Sequence, residues 1–322
     1  MSRQDIITYL GSDWDRTKAL IRTQLHSDVA LLERTNDQVL SNAGKMLRPM
    51  VALLVARAIG TPTEDSVCYA AASELLHNAT LIHDDVADGS AERRGMPTVS
   101  ALLGAGTAVL VGDYWLARAV DLIVDTVHRD EVIRKFARTL TDLAEGEMLQ
   151  LEKASAGDTV EEDYLRIIRC KTASLFCAAA ETAAVSVDAS PEQLEAALAY
   201  GCALGIAFQI KDDILDYAGT DSLGKPVGQD LLEQKITLPL LGALQGSPRE
   251  AEIRALVRDI PSHPENCERV RCFVAERDGV GFAARRLSEW VERAVRALDA
   301  FPDSQAREYL AAIARYNEWR QI

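Results

Sequence analysis

The sequence is poor in the features that mark several large protein classes. Aromatic residues make up only 6% of its 322 residues, and alternating β-branched runs are nearly absent, which disfavours a β-rich fold. Lysine and arginine total 35 against 49 acidic residues, for a net charge of −14. Because non-specific nucleic-acid binding needs a basic surface, we expect no nucleic-acid partner, although local basic pockets could still bind small anions.

Cysteine usage and the lack of long apolar runs indicate the compartment. The six cysteines are scattered without a CxxC pair, so we expect core thiols in a reducing cytoplasm rather than disulfides or a zinc site. No window approaches 18 consecutive apolar residues, and the N-terminal MSRQDIITYL has no long apolar stretch. We therefore expect neither a transmembrane span nor a signal peptide, and we predict a cytoplasmic protein.

Helical periodicity runs through nearly the whole chain. Apolar residues recur at helical spacing in successive segments, and the breaks between them fall mostly at glycine and proline. The segments are 14–40, 49–60, 64–88, 106–127, 131–153, 161–187, 191–217, 235–245, 249–259, 265–277, 280–300 and 303–319. No Pro/Ser-rich linker divides the chain, so we predict an all-α fold in which residues 1–322 form a single domain of about a dozen helices.

Two of the predicted helices end in the same aspartate pattern, DDVAD at 84–88 and DDILD at 212–216. The first helix is expected to start with Thr61 as its N-cap and the second with Ser190. Each of these residues is followed by proline and then, at the third position, by Glu or Gln, which is typical of a capping box. The aspartate cluster is therefore formed twice, on matching helices.

Carboxylates at these positions repel one another, and the negative end of the helix dipole repels each of them. A negative charge at a helix C-terminus costs about 0.3–1 kcal/mol, and Asp84 with Asp88, like Asp212 with Asp216, forms a like-charge pair one turn apart. A divalent cation makes these interactions favourable, and oxygen ligands suit Mg²⁺. Because Mg²⁺ typically binds through a few carboxylates and substrate phosphates, the motifs predict a magnesium site for a phosphorylated ligand. The alternative is two solvated acidic helix ends.

Basic residues that could bind the phosphates lie in several short motifs. GKMLRP contains Lys45 and Arg48, three residues apart and able to meet on one helix face. His77 lies seven residues before Asp84, on the same face of the predicted helix. The motifs ERRGMPT, RCKTAS and DSLGKPVGQDLLEQKITLP supply Arg93, Arg94, Lys171, Thr172, Lys225 and Lys235. Each basic residue alone could be an ordinary solvated side chain, and His77 an ordinary core histidine.

Together these motifs resemble the trans-prenyl diphosphate synthases, the family of farnesyl, geranylgeranyl and longer polyprenyl diphosphate synthases. The resemblance runs from GKMLRP through LLHNATLIHDDVADGSAERRGMPT, GDYWLARA, AEGEMLQL, KTASLF and FQIKDDILDY to LGKPVGQD and KITLPLL. A terpene cyclase also begins with an aspartate-rich helix, but its second metal motif usually contains Asn, Ser/Thr and Glu. Here the second motif is again DDxxD, which favours the synthase.

The resemblance implies a helical bundle around a deep central cavity, usually in a homodimer, that condenses isopentenyl diphosphate with an allylic diphosphate (farnesyl or geranylgeranyl). It implies two or three Mg²⁺ ions held by Asp84, Asp85, Asp88, Asp212, Asp216 and, in support, Asp213. Isopentenyl diphosphate would contact Lys45, Arg48, His77 and Arg94. The allylic diphosphate would contact Arg93, Lys171, Lys235 and, more weakly, Lys225. The residues expected at the reacting centre are Lys171, Thr172, Gln209 and Lys235.

The residues before the first aspartate motif bear on the length of the product. Short-chain members of the family have bulky aromatics four and five residues before the first aspartate, whereas Thr80 and Ala79 stand here. Ser73 and Ala72, further back, are also small, and Phe136 on a neighbouring helix is a candidate floor of the cavity. We therefore predict a long-chain all-trans product near octaprenyl. Ordinary packing of an alanine-rich helix is the alternative explanation.

Two other functions stay open. A medium-chain, geranylgeranyl-type synthase would use the same motifs and stop at a shorter product. A non-catalytic subunit of a heteromeric prenyl synthase would typically lack one aspartate motif, and both motifs are intact here. In either synthase the product can be handed to a membrane.

Overall fold

The computed structural model describes residues 2–42, 44–218 and 228–320, and these residues are almost entirely helical. In chain order the helices are α1 (Arg3–Leu10), α2 (Ser12–Leu25), α3 (Ala30–Ser41), α4 (Leu47–Ile59), α5 (Glu64–Ala87), α6 (Val99–Leu103), α7 (Ala105–Val124), α8 (Arg129–Ala156), α9 (Glu161–Ile168), α10 (Ser174–Val185), α11 (Pro191–Ala218), α12 (Gln229–Leu232), α13 (Leu238–Leu244), α14 (Glu250–Arg258), α15 (Asn266–Glu276), α16 (Gly279–Ala297) and α17 (Gln305–Trp319). A short antiparallel pairing joins β1 (Glu92–Arg93) to β2 (Met96–Pro97). The all-α prediction is confirmed.

The described chain divides into two compact units, each built from three stretches of sequence. The first unit consists of Met1–Ala137, Ala178–Leu198 and Ala300–Leu310. The second consists of Arg138–Cys177, Ala199–Asp299 and Ala311–Ile322. In the first unit α5 packs against α2, α4 and α7, and in the second α13 packs against α9, α15 and α16. The prediction of a single domain over residues 1–322 stays a prediction.

The prediction of one continuous helix over residues 14–40 is wrong, because two helices occupy this segment. Helix α2 ends at Leu25, and His26 adopts an extended conformation with ψ of 137°. Glu33, in the first turn of α3, accepts a hydrogen bond from the backbone N–H of Ser27 at 2.8 Å, and its other oxygen lies 3.1 Å from Nδ1 of His26. The Glu33 carboxylate thus pairs the backbone N–H of Ser27, which a continuous helix would have paired with its own carbonyl. The break between the two helices is therefore stable.

The start of α5 also differs from the prediction. Its N-cap is Thr63 rather than Thr61: the Thr63 hydroxyl accepts from the Ser66 backbone N–H at 3.3 Å, and the Ser66 hydroxyl accepts from the Thr63 N–H at 2.9 Å. Two short hydroxyl side chains thus form the reciprocal pair that was expected from Glu64. The second predicted cap is confirmed, because Ser190 and Gln193 exchange hydrogen bonds of 3.0 and 3.2 Å.

A π-helical turn, Arg169–Ala173, interrupts the predicted helix 161–187 between α9 and α10. The Ser174 N–H donates to the carbonyl of Arg169, one residue further back than in an α-helix. Two glycines make room for this turn within the second unit. A Cβ at Gly146 would lie 2.7 Å from Cβ of Cys170, and a Cβ at Gly205 would lie 2.4 Å from Cα of Ala173.

One helix among the described residues is long and apolar enough to cross a membrane. It is Pro191–Tyr217 of α11, with a mean hydropathy of 1.2 over its most apolar window, and 56% of that window is buried within the protein. A core helix of a water-soluble protein has the same profile, so this helix is weak support for a membrane span.

The close approach at Gly205 gives a testable prediction. In Gly205→Ala the new methyl group would meet the backbone of Ala173, so the π-helical turn must shift, and we expect a loss of about 1–3 kcal/mol of unfolding free energy. Urea unfolding of the two proteins measures it. Gly106→Ala is the matched control, because a Cβ there meets nothing within 4 Å and alanine favours helix. Wild-type stability in Gly205→Ala would contradict the prediction.

Candidate active site

The first aspartate motif lies at the C-terminal end of α5, in the first unit. Asp84 is half-buried, Asp85 is buried and Asp88, the C-cap, is exposed, while Gly89 follows with φ of +63°. Burial raises the pKa of Asp85, and the Arg93 guanidinium, whose Nε donates to Oδ1 at 2.7 Å, opposes that rise. Strand β1 therefore fixes Arg93, an expected allylic-diphosphate residue, against the aspartate motif.

Arg94 is fixed separately, by the loop before α4. Its Nη1 donates to the carbonyl of Asn42 at 2.9 Å, and its own backbone is left-handed, with φ of +55°. A Cβ at Gly44 would lie 2.6 Å from the Arg94 guanidinium, so the glycine of GKMLRP leaves the space that this side chain fills. The expectation that Lys45 and Arg48 share a helix face is wrong, because α4 begins at Leu47 and Lys45 precedes it.

Arg48 and His77, both partly accessible, belong to one electrostatic cluster around the buried Glu74. Partial burial lowers the pKa of Arg48 to about 10, and the charge of Glu74 opposes that shift. Asn78 donates from Nδ2 to Oε1 of Glu74 at 3.2 Å. Burial, followed by the positive charges of Arg48, Arg94 and Arg93, holds the pKa of His77 well below its usual range, so the imidazole is neutral at neutral pH. The first unit thus brings four of the expected diphosphate-binding residues within electrostatic reach of one another.

The second aspartate motif, in the second unit, is built around Asp213. This carboxyl is 2% exposed, and both of its oxygens accept hydrogen bonds: Oδ2 from the Tyr164 hydroxyl at 2.6 Å and Oδ1 from Nε2 of Gln209 at 2.8 Å. The Thr172 hydroxyl donates to Oε1 of Gln209 at 2.7 Å. Burial raises the pKa of Asp213 to about 7 despite these hydrogen bonds. Gln209 therefore links Thr172, like itself an expected reaction-centre residue, to Asp213.

The other two aspartates of this motif have different partners. Asp212 is partly exposed and accepts from Nη2 of Arg320 at 2.7 Å. Asp216 accepts from the backbone N–H groups of Gln229 and Asp230, at 3.0 and 3.2 Å, where α12 begins. Burial raises the pKa of Asp216, and these N–H groups oppose the rise. The helix N-terminus thus compensates part of the charge that the motif concentrates.

The two expected catalytic lysines are each paired with a glutamate. Lys171, in the π-helical turn, forms an ion pair with Glu147, and Lys235 forms one with Glu233. Burial by itself would raise the pKa of Glu233, but the hydrogen bond from Lys235 and the charges of Lys235 and Lys171 lower it. Both lysines therefore lie near one acidic group in the second unit. Lys225, the remaining expected lysine, lies outside the described residues.

The residues expected to set the product length differ in accessibility. Ala79 is 1% exposed, and Ser73 and Ala72 further back are fully buried, so these side chains pack against protein. Thr80 keeps part of its surface accessible, while its hydroxyl donates to the carbonyl of His77 at 2.9 Å. Phe136, the expected floor, is buried on α8. Thr80 is therefore the member of this set whose side chain is most accessible.

The donor set fits Mg²⁺ bound jointly by protein and phosphate. Among the residues that the structure describes, no three His, Cys, Asp or Glu side chains form a preassembled metal site. Mg²⁺ typically uses one or two carboxylates and completes its shell with water and substrate phosphates, so it needs no such cage. Asp84, Asp88 and Asp212 each keep accessible surface at a helix end, as this mode of binding requires.

Three residues at these sites escaped the sequence-based prediction. Glu74 had a signal, because it is the one acidic residue in the otherwise uncharged stretch SVCYAAASELL of α5. Tyr164 and Arg320 had none, because they reach the second aspartate motif from 49 and 108 residues away along the chain.

Comparison with known proteins identifies the family. The polyprenyl synthetase family model matches residues 29–274. The all-trans-nonaprenyl-diphosphate synthase (geranyl-diphosphate specific) of Rhodobacter capsulatus is 39% identical, over 97% of this chain and 96% of its own. The octaprenyl diphosphate synthase of Escherichia coli (strain K12) is 37% identical, over 98% of both chains. The crystal structure of a polyprenyl synthase from Caulobacter crescentus CB15, complexed with calcium and isoprenyl diphosphate, superposes with a TM-score of 0.90 at 35% identity, covering 100% of this chain and 98% of that one.

The chain therefore belongs to the polyprenyl synthetase family and is a prenyltransferase. The resemblance that the motifs indicated is confirmed at the level of family, fold and enzyme class.

The hydrogen bonds around Asp213 give a second prediction. Tyr164→Phe removes the donor to a buried carboxylate oxygen, which costs about 1–3 kcal/mol of unfolding free energy. Because this hydrogen bond favours the charged carboxylate, and the folded pKa is about 7, the loss should be larger at pH 8 than at pH 6. Urea unfolding without metal at both values measures it.

Tyr9→Phe is the control, because the Tyr9 hydroxyl makes no hydrogen bond to the described part of the chain. Equal losses in Tyr164→Phe and Tyr9→Phe at both pH values would contradict the prediction.

Proposed function

We propose that the protein condenses isopentenyl diphosphate with an allylic diphosphate in successive cycles. The product is a long-chain all-trans polyprenyl diphosphate near octaprenyl, and pyrophosphate leaves at each cycle. The observation that carries the proposal is the pair of DDxxD motifs at the C-terminal ends of α5 and α11, each accompanied by basic side chains. The relatives named as nonaprenyl and octaprenyl diphosphate synthases support the long-chain product.

We assign the metal-binding role to the accessible aspartates. Asp84 and Asp88 of the first motif, with Asp212 and Asp216 of the second, would hold Mg²⁺, two or three ions per site. Bound Mg²⁺ neutralises the diphosphate and stabilises the charge that develops on departing pyrophosphate. Asp85 and Asp213, which are buried and hydrogen-bonded to protein donors, support the ligands on either side of them.

The basic residues of the second unit act on the leaving group. When the allylic C–O bond breaks, negative charge builds on pyrophosphate, and Lys171 and Lys235 offset it by direct contact. In the first unit, Arg93, held beside Asp85, is assigned to contact allylic diphosphate. The glutamates that now pair with the lysines keep both cations in place until an anion of higher charge arrives.

The residues around His77 bind isopentenyl diphosphate. Lys45, Arg48 and Arg94 supply positive charge, and the neutral imidazole of His77 supplies a single hydrogen bond. The double bond of this substrate attacks the allylic cation, forming the new C–C bond, and the resulting tertiary cation loses a proton to pyrophosphate. No protein carboxylate has to act as a base, because every aspartate of the two motifs has a ligand or supporting role.

The product of the purified protein tests this function directly. Isopentenyl diphosphate, Mg²⁺ and either farnesyl or geranylgeranyl diphosphate are incubated with the protein, and the dephosphorylated products are separated by chain length and mass. We expect all-trans prenols near C40. Products that stop at C20 would support the geranylgeranyl-type alternative. Absence of pyrophosphate release by the folded protein would support the non-catalytic subunit.

The accessible surface of Thr80 gives a prediction about chain length. Thr80→Phe places an aromatic ring four residues before Asp84, where it should block the growing chain, so we expect the main product to shorten by two or more isoprene units. Thr80→Val, which keeps the size of the side chain, is the control and should leave the distribution unchanged. An unchanged distribution in Thr80→Phe would remove this face of α5 from the determinants of length.

We also propose that the protein is a homodimer that assembles through α7. This helix is apolar, and several of its large side chains are exposed in the single chain: Val109, Leu110, Val120 and Val124. Leu102 and Leu103 on α6 extend the same run of exposed apolar residues. Six exposed apolar side chains on two neighbouring helices are typical of a protein–protein interface. A second copy of the chain presents the same six side chains and would cover them.

Leu110 is 69% exposed and tests the dimer. In Leu110→Asp, dimerisation would bury an unpaired carboxylate, so we expect the protein to elute as a monomer, with the mass measured by light scattering. Val127→Asp is the control, because Val127 is 83% exposed beyond the end of α7 and should leave the mass of the dimer unchanged. A Leu110→Asp protein that keeps the dimer mass would rule out this surface.

We place the protein in the cytoplasm. The described cysteines are all free thiols, as expected in a reducing compartment. A polyprenyl chain near C40 is insoluble in water, so the product is handed to a membrane.

A further inference from the structure

Arg320, next to the end of the described chain, binds a residue of the second aspartate motif. Its Nη2 donates to Oδ1 of Asp212 at 2.7 Å and to the backbone carbonyl of Phe208 at 2.9 Å. The arginine is only 5% exposed, whereas surface arginines that pair with carboxylates are usually well solvated. A buried, charge-assisted contact of this kind fixes the position of both groups.

Arg320 is itself held on two further sides. Its Nε donates to Oδ1 of Asn317, which is buried, at 3.2 Å, and its guanidinium lies over the Phe208 ring at 4.3 Å from the centroid. The adjacent Lys211 also donates to the backbone carbonyl of Glu318, at 3.2 Å. The end of α17 is thus attached to α11 at successive positions, so Arg320 is a rigid partner for Asp212.

The contact leaves one oxygen of Asp212 available. Oδ1 accepts the hydrogen bond from Arg320, while Oδ2 accepts none from the residues that the structure describes. The Asp212 side chain is 37% exposed, whereas Asp213 is buried and both oxygens of Asp216 accept hydrogen bonds from the backbone of α12. A carboxylate held through one oxygen presents the other in a fixed direction, and hydrogen-bonded supports of this kind commonly tune metal affinity.

We propose that Arg320 is a positioning residue for the cation: it fixes Asp212 through Oδ1 so that Oδ2 stays oriented for a divalent metal. This rests on the proposed role of Asp212 as a metal ligand. Arg320 has no contact with substrate in this role. It acts through Asp212 alone, so its removal should weaken cation binding even when no substrate is present.

Binding of Mn²⁺ to the substrate-free protein, followed by the electron paramagnetic resonance signal of free Mn²⁺, tests the proposal. Arg320→Ala should raise the dissociation constant of the affected site about tenfold or more. Arg320→Gln, which keeps a neutral donor but removes the charge, should lose less. Arg315→Ala, which replaces an exposed arginine on α17, the helix that ends just before Arg320, is the matched control and should bind Mn²⁺ like the wild type.

The Asp212→Asn background separates the possible outcomes. If Arg320 acts through Asp212, Arg320→Ala should cause no further loss in that background, since the two effects are not additive. An unchanged or tighter Mn²⁺ affinity in both Arg320→Ala and Arg320→Gln overturns the proposal, as does a full additional loss in Asp212→Asn. If Asp212→Asn itself binds Mn²⁺ like the wild type, the metal-binding role of Asp212 fails instead.

A loss of folding is distinguished from a loss of metal binding by measuring Mn²⁺ binding well below the unfolding midpoint of each variant. The circular dichroism spectrum checks that each variant is folded. Should Arg320→Ala not fold, Arg320→Gln carries the same test, because a neutral donor still weakens the hold on Asp212 and a measurable loss is still expected. Wild-type Mn²⁺ affinity in folded Arg320→Gln then counts against the proposal.

Discussion

The repulsion between carboxylates gathered at the end of a helix is the constraint to which each aspartate motif responds within its own unit. The buried aspartates are each held by protein donors: Asp85 by Arg93, and Asp213 by Tyr164 and Gln209. Arg93 on β1 and Tyr164 on α9 come from other elements, whereas Gln209 lies on α11 itself, one turn before Asp213. The aspartates that keep accessible surface are the ones to which we assign the cation.

Several positive side chains likewise have partners of opposite charge. Arg48 lies near Glu74, Lys171 pairs with Glu147 and Lys235 pairs with Glu233. Each of these cations therefore lies near a carboxylate of its own unit, so part of the acidic excess of the sequence balances basic side chains at the candidate site.

The order of helices and the identity of the aspartate motifs could be predicted because both depend on local spacing. The break at His26 could not, because it depends on a carboxylate seven residues away, at Glu33. The π-helical turn is only five residues long between two α-helices, too short a segment for apolar periodicity to distinguish from its neighbours. The partners of the aspartates, above all Tyr164 and Arg320, are set by tertiary contacts that no pattern in the sequence indicates.

The hydrogen bonds that run from Thr172 through Gln209 to Asp213 have a fixed polarity. Since the amide Nε2 of Gln209 donates to the carboxylate, its oxygen must face Thr172, and the threonine hydroxyl must donate its only proton to that oxygen. Only the lone pairs of the hydroxyl then remain to face a neighbouring ligand. Thr172 thus presents the negative end of a small dipole and has no hydroxyl proton left to donate.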